Sequence, residues 1–177
     1  MDRPGFSINC EVEWDDAARV AAGAAALDVL LVQRLVAAAL FEAGAPDGEA
    51  IEVSVGFCDE ARIAAVNAEH RGVDGPTDVL SFPIDGLVEP VGPGEPRVLG
   101  EPRVLGDLLV CPAYVARQVL EGLTMQGEDQ LRPALERCVV HGTLHLCGFD
   151  HERSDHDAEH MFALEQLVLD RVRGSAA

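Results

Sequence analysis

Polar and apolar residues alternate along Ser7 to Trp14, with Ile8, Cys10, Val12 and Trp14 on one parity and Ser7, Asn9, Glu11 and Glu13 on the other. Successive side chains of an extended chain point to opposite faces, so the pattern predicts a half-buried first strand. Ile51, Val53, Val55 and Phe57 repeat the period and predict a second. Between them, from about Leu27 to Ala43, apolar residues and Ala are dense enough to predict a mostly buried helix, with Asp28 as an early acidic residue and Gly44 as its stop. Ala17 to Ala26 either prolongs that helix or forms a separate Ala-rich insertion. Cys58-Asp59 leads into a helix from about Glu60 to Glu69; Gly72, Gly75 and Pro76 then mark a loop, and Val79 to Phe82 a short strand.

Residues 85 to 104 are rich in Pro, Gly and Glu, and contain Glu95-Pro96-Arg97-Val98-Leu99-Gly100 copied at once as Glu101-Pro102-Arg103-Val104-Leu105-Gly106. One tandem copy is too short for a solenoid and predicts a lengthened surface loop, which costs little because closure entropy grows only with the logarithm of length. Leu105 to Cys111 predicts a further strand, in which Asp107 is a candidate hydrogen-bond partner to a ligating side chain or a strand-end cap. Pro112 opens a helix through about Glu121, with Val115, Val119 and Leu120 as its stripe. Gly127-Glu128-Asp129 breaks the chain before a helix whose apolar body is Leu131, Leu135, Cys138, Val139, Leu144 and Leu146, with Asp129 as candidate cap and Pro133 in the first turn. Ser154 or Asp155 caps a last helix with Met161, Leu164, Val168 and Val172 at helical spacing. Strands interleaved with helices imply an α/β protein of α+β type, a small mixed sheet of about four strands with about five helices around it.

Length and composition narrow the class. The 177 residues form one expected domain, 1–177, since chains of this size bury roughly 70% of their unfolded surface. No apolar run approaches a membrane span, and no basic region followed by an apolar block marks a signal peptide. Cys10, Cys58, Cys111, Cys138 and Cys147 are odd in number and form no C-x-x-C pair, so a reducing cytoplasm is expected. Thirteen Arg, no Lys and a net charge of -18 argue against broad binding of polyanions.

The chemistry concentrates in His141-Gly142-Thr143-Leu144-His145-Leu146-Cys147-Gly148-Phe149-Asp150-His151. His141 and His145 are one helical turn apart, roughly 6 Å in rise, on one face. Gly148 suits a left-handed helix end, and the returning chain would offer His151 as a third nitrogen. Three imidazoles with a fourth position left to water make a catalytic zinc site. Cys147 is a weaker candidate ligand, better placed as a small buried residue. His156 and His160, among Asp155, Asp157 and Glu159, are expected to be solvated. The spacing also matches the metzincin proteases, but their general-base Glu is replaced by Gly142.

The full string H-G-T-L-H-L-C-G-F-D-H closely resembles the signature of the YbeY family of metal-dependent endoribonucleases, which usually has Tyr where this chain has Phe149. Asn67, Arg71-Gly72 and Thr77 to Pro83 resemble the family's N-x-x-x-R-G and T-D-V-L-S-F-P blocks, and Leu105-Gly106-Asp107 its L-G-D strand. The resemblance implies a zinc-dependent, single-strand-specific endoribonuclease that matures the 3′ end of 16S ribosomal RNA and serves ribosome quality control. It implies one Zn2+ on His141, His145 and His151, with Arg71 as the catalytic residue. Expected partners are single-stranded ribosomal RNA and the small ribosomal subunit with its proteins, without membrane or DNA. Without the resemblance, Arg71 could equally hold a loop through a carboxylate; with it, a planar fork gripping phosphate is the stronger reading. His70 is expected to be its solvated neighbour. The proton acceptor stays open among hydroxide on the ion, Asp150 and the RNA's own 2′-hydroxyl. Two alternatives remain: a ribosome-assembly binding factor with a structural metal, and a zinc peptidase, which Gly142 disfavours.

Overall fold

The computed structural model describes residues 5–87, 101–124 and 129–174. The first copy of the hexapeptide lies outside the described residues. Strands β1 (Ser7–Trp14), β2 (Ala50–Phe57), β3 (Val79–Pro83) and β4 (Arg103–Val110) form one mixed sheet in the order β1-β2-β4-β3, parallel except for the β3–β4 pair at one edge. Helices are α1 (Asp16–Ala22), α2 (Val29–Glu42), α3 (Glu60–Arg71), α4 (Pro112–Glu121), α5 (Leu131–Leu146) and α6 (Asp155–Gly174). The fold is the expected α/β layering, with one more helix than the pattern predicts.

That helix is α1. Asp15 caps it by accepting from the Ala18 amide at 2.6 Å, and a 3-10 turn over Gly23–Ala25 separates it from α2. The Ala-rich stretch is therefore a separate helix, bent 83° from α2, and among the described residues no single helix is long and apolar enough to cross a membrane. Asp28 is the N-cap of α2, accepting from Leu31 at 2.8 Å. Ser154, not Asp155, caps α6, accepting from the Asp157 amide at 3.1 Å. Asp129 caps nothing: α5 starts after Gln130 with no side-chain cap. Leu120 leaves the expected stripe of α4 because it stands five residues beyond Val115 and so points away from it; it is 88% exposed.

The inner face of the sheet carries Ile51, Val53, Val55 and Phe57, all buried under α2 and α5, and α6 packs outside those two helices. A smaller cluster of Cys58, Ile63, Leu80 and Cys111 holds α3 to the other face. α5 is central and buried along most of its length. Its contact with the sheet is close at Gly142, where an added Cβ would lie 2.8 Å from Leu108 Cδ2, 3.2 Å from Val79 Cγ2 and 3.3 Å from Ser81 Oγ.

Sequence and structure part over the second hexapeptide copy. β4 already begins at Arg103, so Arg103 and Val104 are strand where the composition predicts loop. The Arg103 guanidinium grips Glu49 through two bonds, Nε–Oε2 at 2.7 Å and Nη2–Oε1 at 3.0 Å, and also donates to the Gly86 carbonyl. Register with β2 slips between Val104 and Gly106, leaving Leu105 as a bulged residue with its side chain fully buried. Gly106 takes φ 140 there, and a Cβ would meet the Phe82 carbonyl at 2.1 Å, so only Gly fits.

Candidate metal centre and cleft

His141 and His145 project from one face of α5, ring centroids 4.6 Å apart. Helix α5 ends at a turn through Gly148, φ 98, where the Phe149 amide donates back to the Leu144 carbonyl at 3.1 Å. The turn has a second effect. It aims the Phe149 carbonyl at His145 Nδ1, 2.9 Å away, and so orients that ring. The chain then returns to place His151 at centroid distances of 5.1 and 5.3 Å from the other two, its ring stacked on Phe162 of α6. The three imidazoles offer nitrogens that all lie within 4.8 Å of one another.

Tautomers follow from the acceptors. His141 Nδ1 lies 2.6 Å from Glu165 Oε1 and His145 Nδ1 faces a carbonyl, so each Nδ1 carries the hydrogen and each Nε2 the lone pair. Those two Nε2 atoms face each other across 3.0 Å. Lone pairs so aimed repel unless a cation shares them, and an all-nitrogen set suits a borderline ion such as zinc. Burial, reinforced by the neighbouring His141 and His151, lowers the pKa of His145 to about 4, so its ring stays neutral near pH 7 and able to coordinate. Among the described residues no Cys or carboxylate joins the group. Cys147 is buried away from it, and burial drives its thiol far above the ordinary range.

The cluster opens into a cleft of about 670 Å³ that also takes Arg71, edge strand β3, Asp150 and Arg153. Arg71 is the last residue of α3, which runs two residues past the expected end; Gly72 then turns left-handed at φ 66. His70 is exposed beside it with its ring edge toward Phe82. Arg71 is exposed and has no carboxylate partner among the described residues, so the loop-holding role finds no support. Asp150 is engaged: its carboxylate accepts from the Glu152 amide at 2.9 Å and pairs with Arg153 at 3.2 Å. The Glu152 hydrogen bond leads in lowering its pKa, which makes it a weak base near neutrality. Asp107 serves neither expected role, since it sits mid-strand and exposed, in a groove with Glu11, Glu13 and Arg62 on the far face of the sheet.

Two residues of the centre escape the motif. Glu165 of α6 is fully buried and joins His141 to Arg137 of α5, whose Nη1 lies 3.2 Å from Oε2. Their only trace in the sequence is a charge interrupting an apolar stripe, Glu165 four residues after Met161 and Arg137 four before His141. His156 and His160 are exposed as expected, although His160 also sets its edge against Phe149.

Comparison with known proteins bears on this arrangement. The family model described as Endoribonuclease YbeY matches residues 25–173, a span that contains Arg71, Arg137, all three clustered His and Glu165. The chain belongs to the YbeY family. A relative named Endoribonuclease YbeY from Dinoroseobacter shibae is 40% identical over 171 residues, covering 88% of each chain. One of the same name from Magnetococcus marinus is 40% identical over 124 residues, 67% of this chain and 77% of that relative. A solution structure of a Thermotoga maritima protein superposes with a TM-score of 0.58 at 25% identity, covering 94% of this chain and 91% of that one. The YbeY match begins at residue 25, after β1 and α1, and the Thermotoga maritima superposition, at 94% of this chain, reaches beyond it.

Proposed function

We propose that this YbeY-family chain is a zinc-dependent, single-strand-specific endoribonuclease, acting in the cytoplasm on the 3′ end of 16S ribosomal RNA and in ribosome quality control, with the small subunit and its proteins as partners. One observation carries the reading: three imidazoles converge at the wall of an open cleft that Arg71, without a carboxylate partner among the described residues, also lines. His141, His145 and His151 would hold one ion, which when bound supplies Lewis-acid polarisation to a phosphodiester. Arg71 meets the same phosphate with a planar fork and stabilises the charge that develops on it. With Asp150 held by Glu152 and Arg153, its carboxylate is disfavoured as the group that takes the proton from the attacking water or 2′-hydroxyl. The five buried, unpaired Cys support a reducing compartment.

The alternatives weaken on particular contacts. A structural zinc has four closed protein ligands, whereas three donors cluster among the described residues and they face a cleft. A peptidase's Glu at position 142 would point into Leu108, Val79 and Ser81 rather than at the ion. The test is incubation of metal-loaded protein with single-stranded and structured RNA beside a casein control. Cleavage confined to single-stranded RNA is expected; binding of ribosomal subunits without cleavage would transfer the proposal to the assembly factor.

A further inference from the structure

The buried charge pair between α5 and α6 is ordinarily a staple that holds two helices together. Its distances indicate otherwise. A carboxylate used only as a staple is best served by a bidentate fork, both oxygens on the guanidinium. Glu165 divides its oxygens instead: Oε2 lies 3.2 Å from Arg137 Nη1, while Oε1 lies 2.6 Å from His141 Nδ1, the shorter contact. Arg137 spends its other side on Gln166 Oε1 at 3.3 Å. Neither Glu165 nor Arg137 is among the residues lining the cleft, and Glu165 meets His141 on the ring edge opposite Nε2. It is therefore placed to act through the ring, not on substrate.

We infer that Glu165, held by Arg137, is a positioning residue that fixes His141 in its Nδ1–H tautomer and strengthens Nε2 as a metal donor, giving the centre one carboxylate-backed ligand beside His145, whose partner is only the neutral Phe149 carbonyl. The inference rests on the metal reading above. A partner of this kind locks ring orientation and raises basicity, and its loss ordinarily weakens metal binding by about 10–100-fold. Arg137 balances the charge and keeps Oε1 from turning away.

Removing Glu165 alone would strand a buried guanidinium, so the informative variant removes both charges. Arg137→Met with Glu165→Met exchanges the pair for apolar chains of similar volume, a change that buried pairs commonly tolerate. Two measurements apply: long-range nitrogen–proton NMR of the imidazoles in metal-free protein, and zinc affinity by competition with a chromophoric chelator. In the parent, His141 and His145 should both be Nδ1–H. In the double variant His145 should stay so as internal control, His141 should shift to a mixed or Nε2–H population, and zinc should bind about 10–100-fold more weakly. Glu165→Gln offers one acceptor oxygen where Glu165 offers two; with Arg137 claiming it, the amide N–H would face His141 Nδ1, so the variant should lose the pure Nδ1–H population and roughly tenfold in affinity. A double variant with His141 still fully Nδ1–H, or with affinity within about twofold of the parent, overturns the assignment. Should the double variant not fold, unchanged affinity of Glu165→Gln overturns it equally. A parent that binds no zinc would defeat the metal reading, while the His141 tautomer in metal-free protein would still test Glu165.

Discussion

Replacing Gly142 by Ala sets two effects of known sign against each other. Ala is better in a helix interior than Gly by about 1 kcal/mol, so an open site would gain stability. The new methyl, however, lies 2.8 Å from Leu108 Cδ2, with Val79 Cγ2 and Ser81 Oγ at 3.2 and 3.3 Å. Leu108 is 1% exposed and has nowhere to retreat, Val79 is stiff at χ1, and Ser81 Oγ already donates to the Gly142 carbonyl. Overpacking of this kind costs about 1–3 kcal/mol, and three contacts on three residues place it in the upper part of that range. The net is a loss of about 1–2 kcal/mol, or roughly 2–8 °C in Tm for a chain of this size. Melting should be followed by circular dichroism with a chelator present, because bound zinc would add its own mass-action stabilisation. Gly142→Glu, which would supply the residue a peptidase needs, should not fold, since an unpaired buried carboxylate costs several kcal/mol out of a total near 5–15. An Ala variant that melts at or above the parent would refute the close helix–sheet contact and revive position 142 as open space.

The parent should purify with about one zinc per chain, and His141→Ala, His145→Ala or His151→Ala should each lose it by elemental analysis. Arg71→Lys and Arg71→Glu should keep their zinc and fold yet cleave single-stranded RNA more slowly in single turnover, Glu far worse than Lys, while Arg19→Ala is nearly silent; parent-like cleavage by Arg71→Glu would return Arg71 to a loop-holding role. Deleting Glu95 to Gly100 yields the same sequence as deleting Glu101 to Gly106, so one hexapeptide remains to fill β4, and Tm should change little. Raising salt from low ionic strength should at first increase kcat/KM on single-stranded RNA; a monotonic fall would mark a surface that attracts RNA at long range.

What the sequence discloses depends on how far apart the determinants lie. Period two in Ser7 to Trp14 and Ile51 to Phe57, and the spacing of His141, Gly148 and His151, are local, and the observed elements follow them. Arg71 was legible as a residue but not as part of a helix end, because Gly72 stops α3 two residues later than the pattern suggests. Glu165 was illegible as a partner, since 24 residues separate it from His141 and only the packing of α6 on α5 joins them. The second hexapeptide misled for a different reason. Its Pro/Gly/Glu composition is that of a loop, yet Arg103 finds Glu49, 54 residues away, and Leu105-Gly106 forms a bulge whose demand for Gly only the neighbouring strand reveals.

The net charge of -18 is the strongest objection to a polyanionic substrate, and the distribution of Arg answers it. Arg103 pairs with Glu49, Arg117 with Glu60, Arg137 with Glu165, Arg132 and Arg173 with Glu136, and Arg153 with Asp150. Arg71 has no such partner among the described residues and lines the His cleft. At an ionic strength of ~0.01 M the Debye length is about 30 Å, so the excess carboxylates act together and repel an approaching strand. Near 0.15 M it shrinks to about 8 Å, and a phosphate inside the cleft senses mainly what borders it. There Asp78, Asp150 and Glu152 stand against Arg71 and Arg153, and a bound divalent ion would turn that local balance positive, unlike the molecule's average. Salt therefore removes the repulsion before it removes the contact, which is why an initial rise with salt is the expected sign for this chain.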